Sequence, residues 1–211
     1  MSADPAGLTE TLDLLARLHR HKDAAYGDAW RKRGEVIAIF ANLARKCDRL
    51  IIGIAEREPA GTDPLADTIG DLCVYAAKYL TWLAETQPDA FDAHSDVVGA
   101  TDATARRGPA ALEAIFAALT SQPALTGPAP DDSSLGWRQV QDVFTVLETG
   151  LMAQSDPEAA PGELLSWSQK IELAWALTAA TGWMLTLLAS EAPSRLDELR
   201  EEVASMDARA R

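Results

Sequence analysis

The chain predicts an all-α fold: a helical bundle whose two related halves pack together as an intramolecular pseudo-dimer. Three observations carry that expectation. Apolar residues recur at three- and four-residue spacing along most of the 211 residues, and strand-like alternation is absent. Hydrophobic residues make up 47% of the chain, enough to fill a substantial core at this length. The helices of the second half also repeat the apolar spacing of the first.

Taken in order, a first helix is expected over Leu8–Lys22, with Leu8, Leu12, Leu15 and Leu18 on one side and Thr9 as its N-cap. The loop His21–Lys32 follows, with Gly27 as a break. A second helix spans Gly34–Arg57 and stops near Glu58-Pro59-Ala60-Gly61. A third begins near Thr62-Asp63-Pro64, where proline suits a first turn, and runs to Thr86. Loop character sets in at Gln87, and residues 91–108 read as a linker between halves 1–90 and 109–211. The second half then offers helices over Ala110–Thr120, Leu135–Gln154, Pro161–Ser190 and Ser194–Arg211, with a Pro/Gly/Asp-rich loop at Ser121–Ser134.

The repeat is weak but ordered. Leu12-Asp13-x-Leu15 matches Leu112-Glu113-x-Ile115 at an offset of 100. Val36-x-x-Ile39-Phe40 matches Val140-x-x-Val143-Phe144 at 104, and Asp71-Leu72 matches Glu172-Leu173 at 101. Duplication explains the nearly constant offset; chance likeness between amphipathic helices is the alternative.

Charge and cysteine content narrow the function classes. A net charge of −13 argues against a duplex nucleic-acid partner, which needs a basic face. A free nucleotide remains compatible, because contacts at short range survive while the distant field is screened. No uninterrupted apolar run reaches the roughly 18 residues of a membrane span, and no secretory signal is visible at the N-terminus. Cys47 and Cys73 are too few for a disulfide framework. The expectation is a reduced, cytoplasmic protein with no membrane partner.

Two polar stripes stand out. At roughly 100° per residue, Glu35, Asn42, Lys46 and Arg49 fall on one arc of the second helix, with Arg45 at its margin. On the third helix Asp67, Asp71, Tyr75 and Lys78 share an arc. Two carboxylates one turn apart present hard oxygens to an ion such as Mg²⁺, which takes few carboxylates plus waters and phosphates. The competing reading is a solvated face of ordinary surface residues. The loop Tyr26-Gly27-Asp28-Ala29-Trp30 offers aromatic surface for stacking, with Asp28 accepting from a base or ribose and Lys22 reaching a phosphate. Alternatively, its Tyr and Trp plug the core. His19 and His21 lie on different sides of a helix and read as solvated; neither shows metal-ligand spacing with His94. No Walker A loop, dinucleotide glycine pattern or nucleophilic triad is present.

The string Lys22…Tyr26-Gly27-Asp28-x-Trp30, Asn42…Arg45-Lys46…Arg49-Leu50 and Asp67-Thr68-x-x-Asp71-Leu72-x-x-Tyr75-x-x-Lys78 resembles the nucleotide-modification-associated domain family. That family is grouped with the MazG and dimeric dUTPase-like all-α NTP pyrophosphohydrolases. The resemblance covers about residues 20–82, under a third of the chain. It implies a helical bundle, often built from paired protomers, and Mg²⁺-dependent cleavage of nucleoside triphosphates to monophosphate and pyrophosphate. By position, Glu35, Asp67 and Asp71 would bind Mg²⁺, or Mn²⁺ in its place, with Glu35 and Asp71 catalytic. Lys22, Arg45, Lys46, Arg49 and Lys78 would hold phosphates, Tyr26 or Trp30 would pack on the base, and Tyr75 would join them in binding the substrate. Asp28 would bond base or ribose, and Asn42 would orient a metal-bound water or a sugar hydroxyl. The chain departs from the family pattern at Ala38 and Thr68, where the superfamily carries further acids, leaving three carboxylates of four. A nucleotide-binding module without turnover and a helical interaction scaffold are the alternative expectations, and a homodimer is a further one.

Overall fold

The structure, a computed structural model, describes residues 5–55, 65–94, 108–122, 129–191 and 193–209. These are 88% helical with no strand, so the all-α expectation holds. Among the described residues eight α-helices pack together: α1 (Pro5–Tyr26), α2 (Ala41–Ala55), α3 (Leu65–Thr86), α4 (Pro88–Ala93), α5 (Gly108–Ser121), α6 (Ser133–Ala153), α7 (Trp167–Glu191) and α8 (Pro193–Arg209). A 3₁₀ turn (Gly27–Arg31) and a π-helical turn (Glu35–Phe40) lead from α1 into α2.

The bundle is organised around α3 and α7, which lie along one another and take the other helices on their outer faces. Helix α7 is apolar nearly all round in its middle, as a buried helix must be, whereas α3 carries one polar stripe through Asp67, Asp71, Tyr75 and Lys78. Leu72, Ala76, Leu80 and Leu83 on α3 and Leu177, Leu185 and Leu187 on α7 are withdrawn from water. Burying each such leucine is worth about 1.5–3 kcal/mol. Gly70 lets α1 approach closely, since a Cβ there would stand 3.0 Å from Leu15. The stretch Pro161–Glu191 is long and apolar enough by composition to cross a membrane, yet 83% of its most apolar window is buried in the bundle. Its apolarity therefore already has helix partners to face.

Several boundaries differ from the sequence reading for local reasons. The described part of helix α1 already runs from Pro5, so Thr9 sits inside it rather than at its N-cap. It also runs through His21 to Tyr26, shortening the expected loop. Helix α6 starts at Ser133 because Asp132 caps it, accepting from the Leu135 amide at 2.9 Å. Residues 161–166, expected as helix, form a 3₁₀ turn and an extended connection, and α7 begins at Trp167. Pro88–Ala93, read as the start of a linker, is the short helix α4, with Phe91 buried. Most of the linker and the Glu58–Gly61 helix stop lie outside the described residues.

Candidate functional site

Two glycines set the geometry at the end of α1. Gly27 (φ +52°) and Gly34 (φ +80°) adopt left-handed backbone that a Cβ disfavours, and they bracket the 3₁₀ turn. The turn brings Trp30 against the core beside α3. Lys78 Nζ lies 5.2 Å from the Trp30 ring centroid and 5.7 Å from that of Tyr75, so one cation serves two aromatic faces. Arg31 sits 5.7 Å from the Trp30 centroid and pairs with Glu85, anchoring the turn to α3.

Between α1, the turn, α2 and α3 lies a cavity of about 510 Å³. Lys22, Trp30, Asn42, Asp71, Tyr75 and Lys78 line it, together with Leu18, His19 and Val74. Six residues named from the sequence therefore share one cavity. Asp71 bonds Lys46 through one carboxylate oxygen and faces Lys22 at 3.7 Å through the other. Lys46 reaches it from α2 and is almost wholly buried, whereas Asp71 keeps access to water. Burial raises the Tyr75 phenol above its usual range, the Asp71 charge adds to this, and Arg45 opposes it.

Glu35 lies elsewhere. It accepts from the Tyr79 hydroxyl at 2.5 Å and from Lys170 Nζ of α7 at 2.8 Å. The Gln154 amide, turned to satisfy both, donates to Glu35 Oε2 at 3.1 Å and accepts from Lys170. Lys170 also lies 4.1 Å from the Trp167 ring centroid. Burial pushes the Lys170 ammonium below its usual pKa, with Glu35 pulling the other way. Burial, then the Glu35 charge, pushes the Tyr79 phenol up, so it stays a donor. The reason for the displacement is the π-helical turn. Its wider loop takes up an extra residue, roughly 100° of phase, so Glu35 does not share the Asn42 arc as a regular helix would require.

The remaining predicted residues scatter around this frame. Asn42 folds back, donating to the Ala38 carbonyl at 2.8 Å and accepting from Arg45 at 2.6 Å. Arg45 and Arg49 are exposed on α2, and Asp67 is half-buried in the first turn of α3. The side chains of Tyr26 and Asp28 lie outside the described residues. Among the described residues no three His, Cys, Asp or Glu side chains gather as a metal site. Glu35 and Asp71 are each held by lysine, and the Asn42 oxygen by Arg45. This donor set, as folded, does not fit a multi-carboxylate Mg²⁺ site.

The sequence places His19 and His21 in solvent; the structure corrects this for His19, while His21 stays partly exposed. His19 is 3% exposed and lines the cavity. His21 bonds Asp207 of α8 at 2.7 Å. The signal for His19 was its place on the leucine face, four residues after Leu15. Cys47 and Cys73 are buried, and burial pushes the Cys73 thiol up to about 12 and the Cys47 thiol further, so both are poor nucleophiles.

Fold and cavity together define an all-α bundle with a half-open cleft lined by lysines and aromatic rings. No protein family, curated protein or solved structure matches this chain.

Proposed function

We propose that the cleft binds a nucleotide through its phosphates and base, as a binding or sensor module. One observation carries this reading: Lys22 of α1 and Lys78 of α3 share a single cavity with Trp30 and Tyr75, and Lys46 of α2 bonds the Asp71 carboxylate on its wall. The cavity has two ends. Lys22 and Lys46 meet at Asp71, and a phosphate oxygen is a natural competitor for those ammonium groups. Seven residues further along α3, about 10 Å at helical rise, Lys78 lies between Trp30 and Tyr75, where a flat base would pack. The span suits a nucleoside carrying two or three phosphates. The resemblance over residues 20–82 supports the same ligand class.

Mg²⁺-dependent pyrophosphohydrolysis is the second reading. It is favoured by the water access of Asp71 at the phosphate end, and it requires a metal to displace Lys46 and Lys22 from that carboxylate.

Calorimetry with nucleoside triphosphates and with tripolyphosphate, beside product assays in Mg²⁺ and in EDTA, separates the readings. The binding module predicts micromolar binding without turnover. In that case Asp71→Asn frees two lysines and tightens tripolyphosphate by about tenfold, ~1.4 kcal/mol. Paired, Mg²⁺-dependent release of monophosphate and pyrophosphate, abolished in Asp71→Asn, would establish hydrolysis instead. No binding by folded protein overturns both readings.

A further inference from the structure

His19 is a polar wall group of the cavity that the nucleotide reading leaves idle. It lies on α1, one turn before Lys22, and is 3% exposed. Among the described residues neither ring nitrogen has a hydrogen-bond partner. Asp23 Oδ1 stands 3.6 Å from Nε2, beyond bonding reach, and Lys78 Nζ is 3.9 Å from the same oxygen. Buried polar groups are nearly always paired, and the exceptions cluster where a ligand or water completes them. His19 is such an exception, and it faces a cavity of ligand size.

We propose that His19 is the specificity residue of the cleft, hydrogen-bonding the edge of the nucleobase. The proposal rests on the nucleotide reading and adds the part of the ligand that is read. Two arguments favour the base over the phosphates. The phosphate end of the cavity is at Asp71, with Lys22 and Lys46, whereas His19 lies near Lys78, which covers the Trp30 face. A neutral imidazole offers one donor and one lone pair, which suits a base edge; its lone pair repels phosphate oxygens. Burial, with the Lys78 charge assisting, holds the ring neutral by pushing its pKa down to about 3.

The test is a titration of the wild-type protein with ATP, GTP, CTP, UTP and tripolyphosphate, following the imidazole nitrogens by long-range ¹H–¹⁵N NMR and affinity by calorimetry. The His19 resonances are expected to move with the preferred nucleotide and not with tripolyphosphate. His19→Phe keeps the ring volume and removes the hydrogen bond. It is expected to erase a base preference of about tenfold, the scale of one buried hydrogen bond, while leaving tripolyphosphate affinity within about twofold. His19→Gln should restore part of the preference. A preference unchanged in His19→Phe, His19 resonances that move equally with tripolyphosphate, or equal binding of all four nucleotides overturns the His19 assignment and leaves nucleotide binding standing. Absence of any binding to the wild type overturns the nucleotide reading itself. Should His19→Phe fail to fold by circular dichroism, the wild-type resonances decide.

Discussion

Lys46–Asp71 and Lys170–Glu35 are the same chemical pair in two settings. In the first, Asp71 keeps 30% of its side chain in water and has Lys22 as a second cation. In the second, Glu35 keeps 10% and Lys170 only 2%, with Tyr79 and Gln154 closing the remaining bonds. Access to water decides what each can do. A wet carboxylate can exchange one cation for another at small cost, so Asp71 can release its lysines to an incoming anion. A dry pair cannot part without leaving a bare charge, so Glu35 and Lys170 act as a joint between the segment before α2 and α7. Two of the three acids that the sequence presents as one metal site thus divide into a site group and a structural clasp.

Breaking the dry joint should give the largest effect. Lys170→Ala leaves Glu35 buried beside Tyr79 without a counter-charge, and the expected loss is about 3–5 kcal/mol of unfolding free energy. Urea denaturation measures it. Replacing both partners by apolar residues of similar volume (Glu35→Leu with Lys170→Met) should recover most of the loss, because the penalty comes from the unpaired charge. A loss below about 1 kcal/mol for Lys170→Ala would place the pair in water and erase the contrast with Asp71.

Protonation tests burial at the cleft itself. The His19 pKa is lowered from 6.5 to about 3 in the folded protein, by burial first and Lys78 second. Between those values the unfolded chain binds the extra proton and the folded one does not. Stability therefore rises with pH through this window, by about 1.4 kcal/mol per unit, and falls as the pH drops below about 6.5. Carboxylates add their own acid dependence: hydrogen bonds from His21 and Arg17 hold Asp207 below its usual range. The diagnostic is therefore the difference between wild type and His19→Phe from pH 4 to 6.5. That difference should carry the slope of one proton. A flat difference would mean that the ring accepts its proton in place, with Asp23 compensating the charge.

The same contrast explains what could be read in the sequence. Leu72, Ala76, Leu80 and Leu83 repeat at helical spacing, and the bundle follows because such a face has to be covered. Trp30, Asn42, Asp71, Tyr75 and Lys78 also meet as their spacing suggested, because α3 is regular and glycines turn the Trp30 segment inward. Glu35 was misplaced because a π-helical turn has no periodic signature, and one extra residue rotates everything before it. Lys170 was invisible as its partner, since a pairing across 135 residues leaves no local pattern. His19 was misread because a titratable side chain on an apolar face was assigned to water by type, against its position.

The smallest effect belongs to the wet end of the series. Arg20 and Glu113 tie α1 to α5, with guanidinium contacts of 3.0 and 2.6 Å to one carboxylate oxygen. Their side chains are 60% and 35% exposed, so both charges stay solvated in the folded and unfolded states. A double-mutant cycle with Arg20→Ala and Glu113→Ala should give a coupling of about 0.2–1 kcal/mol. It should fade in 1 M salt, where the screening length falls to about 3 Å. The geometry is better than that of Lys22–Asp71, yet the expected energy stays small, because the lost hydration nearly cancels the attraction gained. A coupling above about 1.5 kcal/mol that persists in salt would show that contact geometry, rather than burial, orders the ion pairs of this fold. The division between a clasp at Glu35 and an exchangeable group at Asp71 would then have to rest on ligand binding alone.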